Sequence, residues 1–275
     1  MRTFGEDSGS RLVRSTLLLA LFLLACTPRS ELTLRFRAMV GERPFRRAEV
    51  YRGLAGGADE LTLSELRFYV SRPRLLDAAG REYVLNLNGD ARTSAQLSLL
   101  DFAEAPERSL RGSLALPADA RPVALAFELG VPFSENHQDV STARAPLDAS
   151  NMFWVWRHGY KFLRLEAESR GTSGAQPVSV HLGSTGCAGE SPIAAPARCK
   201  HPNRVQVRLE RFDAKRDVVQ LDLAPLLASL SLPARDASAG CESDPEDPDC
   251  AGVFAALGLR GSAGQRVFRA VRETR

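Results

Sequence analysis

Both tryptophans of the chain stand two residues apart, Trp154 and Trp156, inside NMFWVWRHGYKF (151–162). If that stretch is one strand, Met152, Trp154, Trp156 and His158 share a face, and Phe153 and Val155 take the other. A thioether, two indoles and an imidazole in line can cover and ligate a soft cation. The same rings can equally fill the core of a β-sheet, and His158 can sit solvated at the strand end before Gly159. Three further histidines complete the inventory. His137 lies in GVPFSENHQD (130–139), a loop that follows a strand. His181 ends another strand in HLGSTGC, where Cys187 would fix its surroundings. His201, between Lys200 and Pro202, reads as a solvated turn residue. Imidazole is a common ligand for copper and zinc, yet each histidine taken singly also reads as a hydrogen-bonded loop residue.

Other chemistries find less support. The sequence holds no phosphate-cradling glycine loop, no HExxH and no GxSxG. Ser184 stands three residues after His181, which alone does not make a hydrolase. The acidic run from Cys241 to Cys250 lacks EF-hand spacing and contains two prolines, so it reads as a solvated acidic loop.

These side chains need a frame, and the alternation of apolar and polar residues supplies one. Residues 31–40, 61–70, 84–87, 113–116, 123–129 and 205–210 alternate with period two and are punctuated by Gly, Pro, Asn and Asp. Helical periodicity is confined to 223–230 and 253–257. The expectation is an all-β fold, an antiparallel β-sandwich or barrel-like form with long loops and short helices. Residues 236–248, polar and proline-rich, read as a loop pinned by its own cysteine pair. With 275 residues, 44% of them apolar, and a formal charge of +3, the chain is too apolar and too balanced for disorder. It has no dense basic block of the kind that binds nucleic acid.

Arg11 and Arg14 precede an apolar run over 17–25, shorter than the roughly 20 residues that span a bilayer and suited to a secretory signal. It ends Leu23-Leu24-Ala25-Cys26, which resembles a bacterial lipobox with Cys26 as the lipidated residue. Thr27, where inner-membrane retention would place Asp, favours the outer membrane. The expected organisation is a lipoprotein signal peptide over 1–25 and a single domain over 26–275. Lipid on Cys26 leaves Cys187, Cys199, Cys241 and Cys250. Four cysteines allow three pairings, and an oxidising periplasm permits disulfides. The local pairs Cys187–Cys199 and Cys241–Cys250 close short loops, and a four-thiolate zinc site is the rival.

GVPFSENHQD, APLDASNMFWVWRHGYKFLRLE (145–166), VHLGSTGC (180–187), CKHPNRVQV (199–207) and the late cysteine pair resemble the MbnP-like family of periplasmic copper-binding proteins, the four-cysteine members of a "metallo-mystery pair". ELRFYVSRPRLLDAAG (65–80), LSLLDF (97–102) and FAALGL (254–259) extend the resemblance over nearly the whole chain after the leader. The resemblance implies copper as the bound metal. It also implies a di-haem, MauG-like cytochrome c peroxidase homologue as a partner that oxidises a tryptophan to kynurenine. Carried over, the modified position is Trp154 or Trp156, the metal-binding residues are His137, His181 and those tryptophans, and Met152 and His158 stand behind them. The chain itself would be non-catalytic, storing copper or delivering it to an outer-membrane transporter. The family pattern often has one cysteine after "PF" near the first strand and another after "LLDF"; here those places hold Arg46-Arg47 and residues 103–108. A reading of another class keeps the same fold and makes Trp154 and Trp156 a stacking platform for a carbohydrate or other ligand.

Overall fold

The computed structural model describes residues 29–54, 60–155, 158–171, 174–189, 195–230, 239–261 and 263–273. The leader, the lipidation candidate Cys26 and Trp156 lie outside the described residues.

Two curled sheets form a half-barrel. The smaller runs in the order Phe268–Arg272, Asp217–Asp222, Arg29–Val40, Glu107–Ala115, Asn86–Leu87, with Arg43–Pro44 added to Arg29–Val40. The larger has Val205–Glu210, Pro122–Leu129, Glu60–Asp77, Gly159–Gly171, Gly174–Gly183 and Ala239–Cys241 along its main path. Most pairs are antiparallel, as the alternation predicts. Among the described residues two are parallel: Arg29–Val40 with Asp217–Asp222, and Gly174–Gly183 with Ala239–Cys241. A separate hairpin joins Thr185–Ala188 to Arg198–His201.

The expected strands are present and several are longer than predicted, except that 84–87 divides into Glu82–Val84 on the larger sheet and Asn86–Leu87 on the smaller. Glu60–Asp77 runs eighteen residues, because it is buried along much of both faces and partners several shorter strands in turn. The helical stretches become Ala224–Leu227 and Pro248–Ala256. The second helix starts where Asp247 caps the amide of Asp249 ahead of Pro248.

The inner faces of both sheets share one hydrophobic core. Phe36 and Phe268 from the smaller sheet interlock with Phe127 and Phe68 from the larger. Ring centroids are 5.7 Å apart for Phe36–Phe127, 5.3 Å for Phe127–Phe268 and 5.8 Å for Phe68–Phe268, all edge to face. Edge-to-face contact puts the positive ring edge on the negative face and adds to the burial of each ring.

Both local disulfides form, Cys187–Cys199 across the separate hairpin and Cys241–Cys250 between a strand and the helix Pro248–Ala256. The zinc alternative is therefore excluded, since no thiolate remains among these four. The two places where the family pattern has further cysteines come together: Arg47 and Ala103 line one cavity of about 440 Å³.

Candidate metal and modification site

Residues 151–162 are not a single strand. Ser150–Met152 is a 3-10 turn, Phe153–Val155 is a short strand, and the chain reverses to pair Phe153 with Tyr160 and Val155 with Gly159. Gly159 takes φ +75° at the reversal, and a Cβ there would lie 2.2 Å from the Asn136 carbonyl oxygen. Strand alternation therefore does not align Met152 with Trp154. Met152 is fully buried in the core. Trp154 is half-buried, and its ring meets two imidazoles edge to face: His158 at 6.0 Å and His181 at 6.2 Å between centroids. The reversal, rather than the alternation, brings His158 back to Trp154.

The seat of the indole is Gly183. A Cβ at that position would stand 2.6 Å from a ring carbon of Trp154 and 2.9 Å from the Tyr160 carbonyl oxygen. The Lys161 ammonium lies 6.0 Å from the Trp154 ring centroid. Burial pushes Lys161 below the ordinary lysine pKa, and Arg164 adds to the push.

His181 lies within the strand Gly174–Gly183 and is 8% exposed. Both ring nitrogens are engaged. Nε2 is 2.7 Å from Glu166 Oε1, and Nδ1 is 2.8 and 2.9 Å from the two oxygens of Glu242. Burial opposes charge on the ring, but the hydrogen bonds and field of the two carboxylates outweigh it, so the pKa of His181 is raised. Both glutamates are also penalised by burial. Their bonds to His181, with Arg164 helping Glu166 and Ser179 helping Glu242, hold them below the usual range.

Cross-strand register builds this clamp. Glu166 pairs with Ser179, and Arg164 with His181. Val180 pairs with Cys241 in the parallel strand, which carries Glu242 to the imidazole. Ser243 Oγ donates to the His181 carbonyl at 2.8 Å and accepts from the Gly183 amide at 2.8 Å. Residues 241–243 are thus a brace across the site rather than a solvated loop. Glu166, Glu242, Ser243 and Gly183 were missed as site residues because their proximity depends on pairing between distant segments. A glutamate directly after a disulfide cysteine was the available hint.

His137 sits elsewhere in the same region. The expected loop contains a short helix, Phe133–Asn136, and His137 follows it in a turn. Its ring meets Phe133 edge to face at 4.9 Å. Nε2 accepts from Asn136 Nδ2 at 3.2 Å and lies 3.5 Å from Cys199 Sγ. Asn136 Nδ2 also donates to the His158 carbonyl at 3.2 Å, and its Oδ1 accepts from the Tyr160 amide at 2.9 Å. Asn136 therefore couples the two histidine neighbourhoods. His201 is a strand residue opposite Thr185, not a turn residue. Ser184 Oγ donates to the Pro202 carbonyl at 3.0 Å, so neither the hydroxyl nor the imidazole of the His181–Ser184 pair is directed at the other.

The MbnP family model matches residues 29–243. Among solved structures, MbnP from Methylosinus trichosporium is similar, with a TM-score of 0.77 and 29% identity, covering 90% of this chain and 100% of that one. No curated protein matches.

Proposed function

The chain belongs to the MbnP family, and from that premise we propose that it binds copper in the periplasm, anchored to the outer membrane through lipid on Cys26, and serves copper homeostasis without catalysing a reaction itself. The observation that carries this reading is the half-buried Trp154 ring flanked by His158 and His181. Imidazole suits copper, and a mixed nitrogen and oxygen donor set suits Cu(II). Copper at His181 must displace Glu166 or Glu242 from a ring nitrogen, or take that carboxylate as a further ligand. His137 is the second imidazole ligand.

Trp154 and Trp156 are the candidate sites of oxidation by a di-haem, MauG-like partner, with peroxide as the terminal oxidant. The indole C2–C3 bond breaks, both carbons gain oxygen, and hydrolysis releases C2 as formate. The kynurenine that remains has exchanged one carbon for one oxygen and presents an aryl amine and a ketone. An intact indole N–H only donates, so the oxidised ring offers the metal lone pairs that tryptophan lacks. Partial exposure of Trp154 supports access for such a partner.

Copper stoichiometry of wild type and of the His137→Ala/His181→Ala variant tests the ligands. The variant should lose the bound ion, and unchanged stoichiometry overturns the assignment. Peptide mapping of residues 150–165 after co-production with the di-haem partner should find the mass change on one tryptophan. Two intact indoles overturn the oxidation step.

A further inference from the structure

The copper reading takes His137 as a ligand but leaves unexplained the two sulfurs that stand beside its ring. Its ring and both sulfurs of Cys187–Cys199 offer ligand atoms that all lie within 4.8 Å of one another. His137 and Cys187 are each 6% exposed. Joined as a disulfide, the sulfurs carry no charge and are poor donors. Separated, they are thiolates, the ligands that select Cu(I). We propose that reduction of Cys187–Cys199 creates a site of one nitrogen and two sulfurs for Cu(I), in which the two thiolates recruit His137 from the site beside Trp154 and leave His181 there.

Four features support it. A cleft of about 240 Å³ opens onto Cys199 and is lined also by Val131, Phe133, Ser184, Arg198 and Arg204. Cys241 and Cys250 are wholly buried, so a reductant reaches Cys199 first. Arg198 and Arg204 at that cleft favour negative charge on sulfur. The hairpin also keeps its register without the S–S bond, because Thr185–His201 and Ala188–Arg198 pair on either side of Cys187–Cys199. The freed sulfurs therefore remain opposite each other and beside the imidazole. Three protein donors fall short of the four that structural zinc takes, whereas Cu(I) is served by a soft three-coordinate set.

The redox step needs a dithiol. One of its thiolates attacks Cys199 Sγ and Cys187 leaves as thiolate; the second thiol resolves the mixed disulfide and frees Cys199. Two electrons pass from the dithiol to the cystine, and the dithiol ends as its own disulfide. Cu(I) then takes the place of the protons on the two thiols, with no change in its oxidation state.

The test uses the purified protein, reduced anaerobically with dithiothreitol and freed of reductant by gel filtration. Alkylation mapping should label Cys187 and Cys199 and spare Cys241 and Cys250. Titration with Cu(I) against the chromogenic competitor bicinchoninate should show one equivalent more than the oxidised protein binds, with ultraviolet thiolate-to-copper absorption. The extra equivalent should vanish in Cys187→Ser/Cys199→Ser. His137→Ala should weaken it by about tenfold or more, since loss of even an outer-shell partner costs that much. Circular dichroism of each variant separates loss of the site from loss of the fold. A Cys187–Cys199 bond that stays closed, a mapped open pair that gains no Cu(I), an extra equivalent that survives the double serine variant, or tighter binding of Zn(II) than Cu(I) each overturns the proposal. The inference rests on the copper reading and shares His137 with it, yet the two fail separately: copper bound by the oxidised protein reports on the site beside Trp154, and only the increment on reduction, with its thiolate absorption, reports on this one.

Discussion

His181 is the most constrained of the four histidines, held on one side by Glu166 and on the other by Glu242. This arrangement makes a signed prediction for the metal-free protein. The raised His181 pKa means that its contribution is fully present below the ordinary histidine value and is lost as pH rises through the raised one. The lowered glutamate values mean that theirs is present above the ordinary carboxylate range and is lost as pH falls through the lowered ones. Glu242→Gln should therefore lower Tm most between those two limits, and the gap should close toward both acid and alkali. Glu242 is half exposed, so solvent screening holds the difference to about 1 kcal/mol or less. Thermal melts across pH check this; a gap that does not vary with pH would mean that the charge on the clamp is not what stabilises it.

At the scale of elements, the segment that delivers Glu242 is short and held at both ends. Its strand, Ala239–Cys241, adds in parallel to Gly174–Gly183, and Cys241–Cys250 ties it to the helix Pro248–Ala256. Cys241→Ser/Cys250→Ser should cost roughly 2–3 kcal/mol on the chain-entropy account of a short loop. It should also loosen His181, visible as a fall of its pKa toward the ordinary value in an NMR titration. An unaltered titration would show that the parallel pairing alone positions the carboxylate. Period-two alternation located the strands, because a half-buried strand needs it. The local disulfides were among the pairings the sequence allowed, since short loops close readily. The pairing of Val155 with Gly159 was hidden because the sequence WVWRH keeps the alternation of a continuous strand. The clamp on His181 was hidden because parallel pairing over 61 residues leaves no local signature. The Trp154 neighbourhood was legible in its residue types, and the place of His137 beside Cys199 was not.

At the scale of the whole molecule, the two sheets stand or fall together, because Phe127 touches Phe36 and Phe268 across the core. Phe127→Ala should cost about 3–5 kcal/mol. In denaturant it should lower the unfolding midpoint with little change in slope, the sign of one cooperative transition. Two separated transitions would mean that the sheets unfold independently.

The brace at residues 241–243 has a bearing on the order of events during synthesis. Folding proceeds broadly from the N-terminus as the chain emerges, and the strand that completes the His181 environment comes among the last elements to appear. A nascent chain would hold all four histidines before Ala239–Cys241 joined the larger sheet, and until then His181 would lack its Glu242 partner. The architecture thus makes the His181 clamp a property of nearly the whole chain, and a product truncated before residue 239 would lack it.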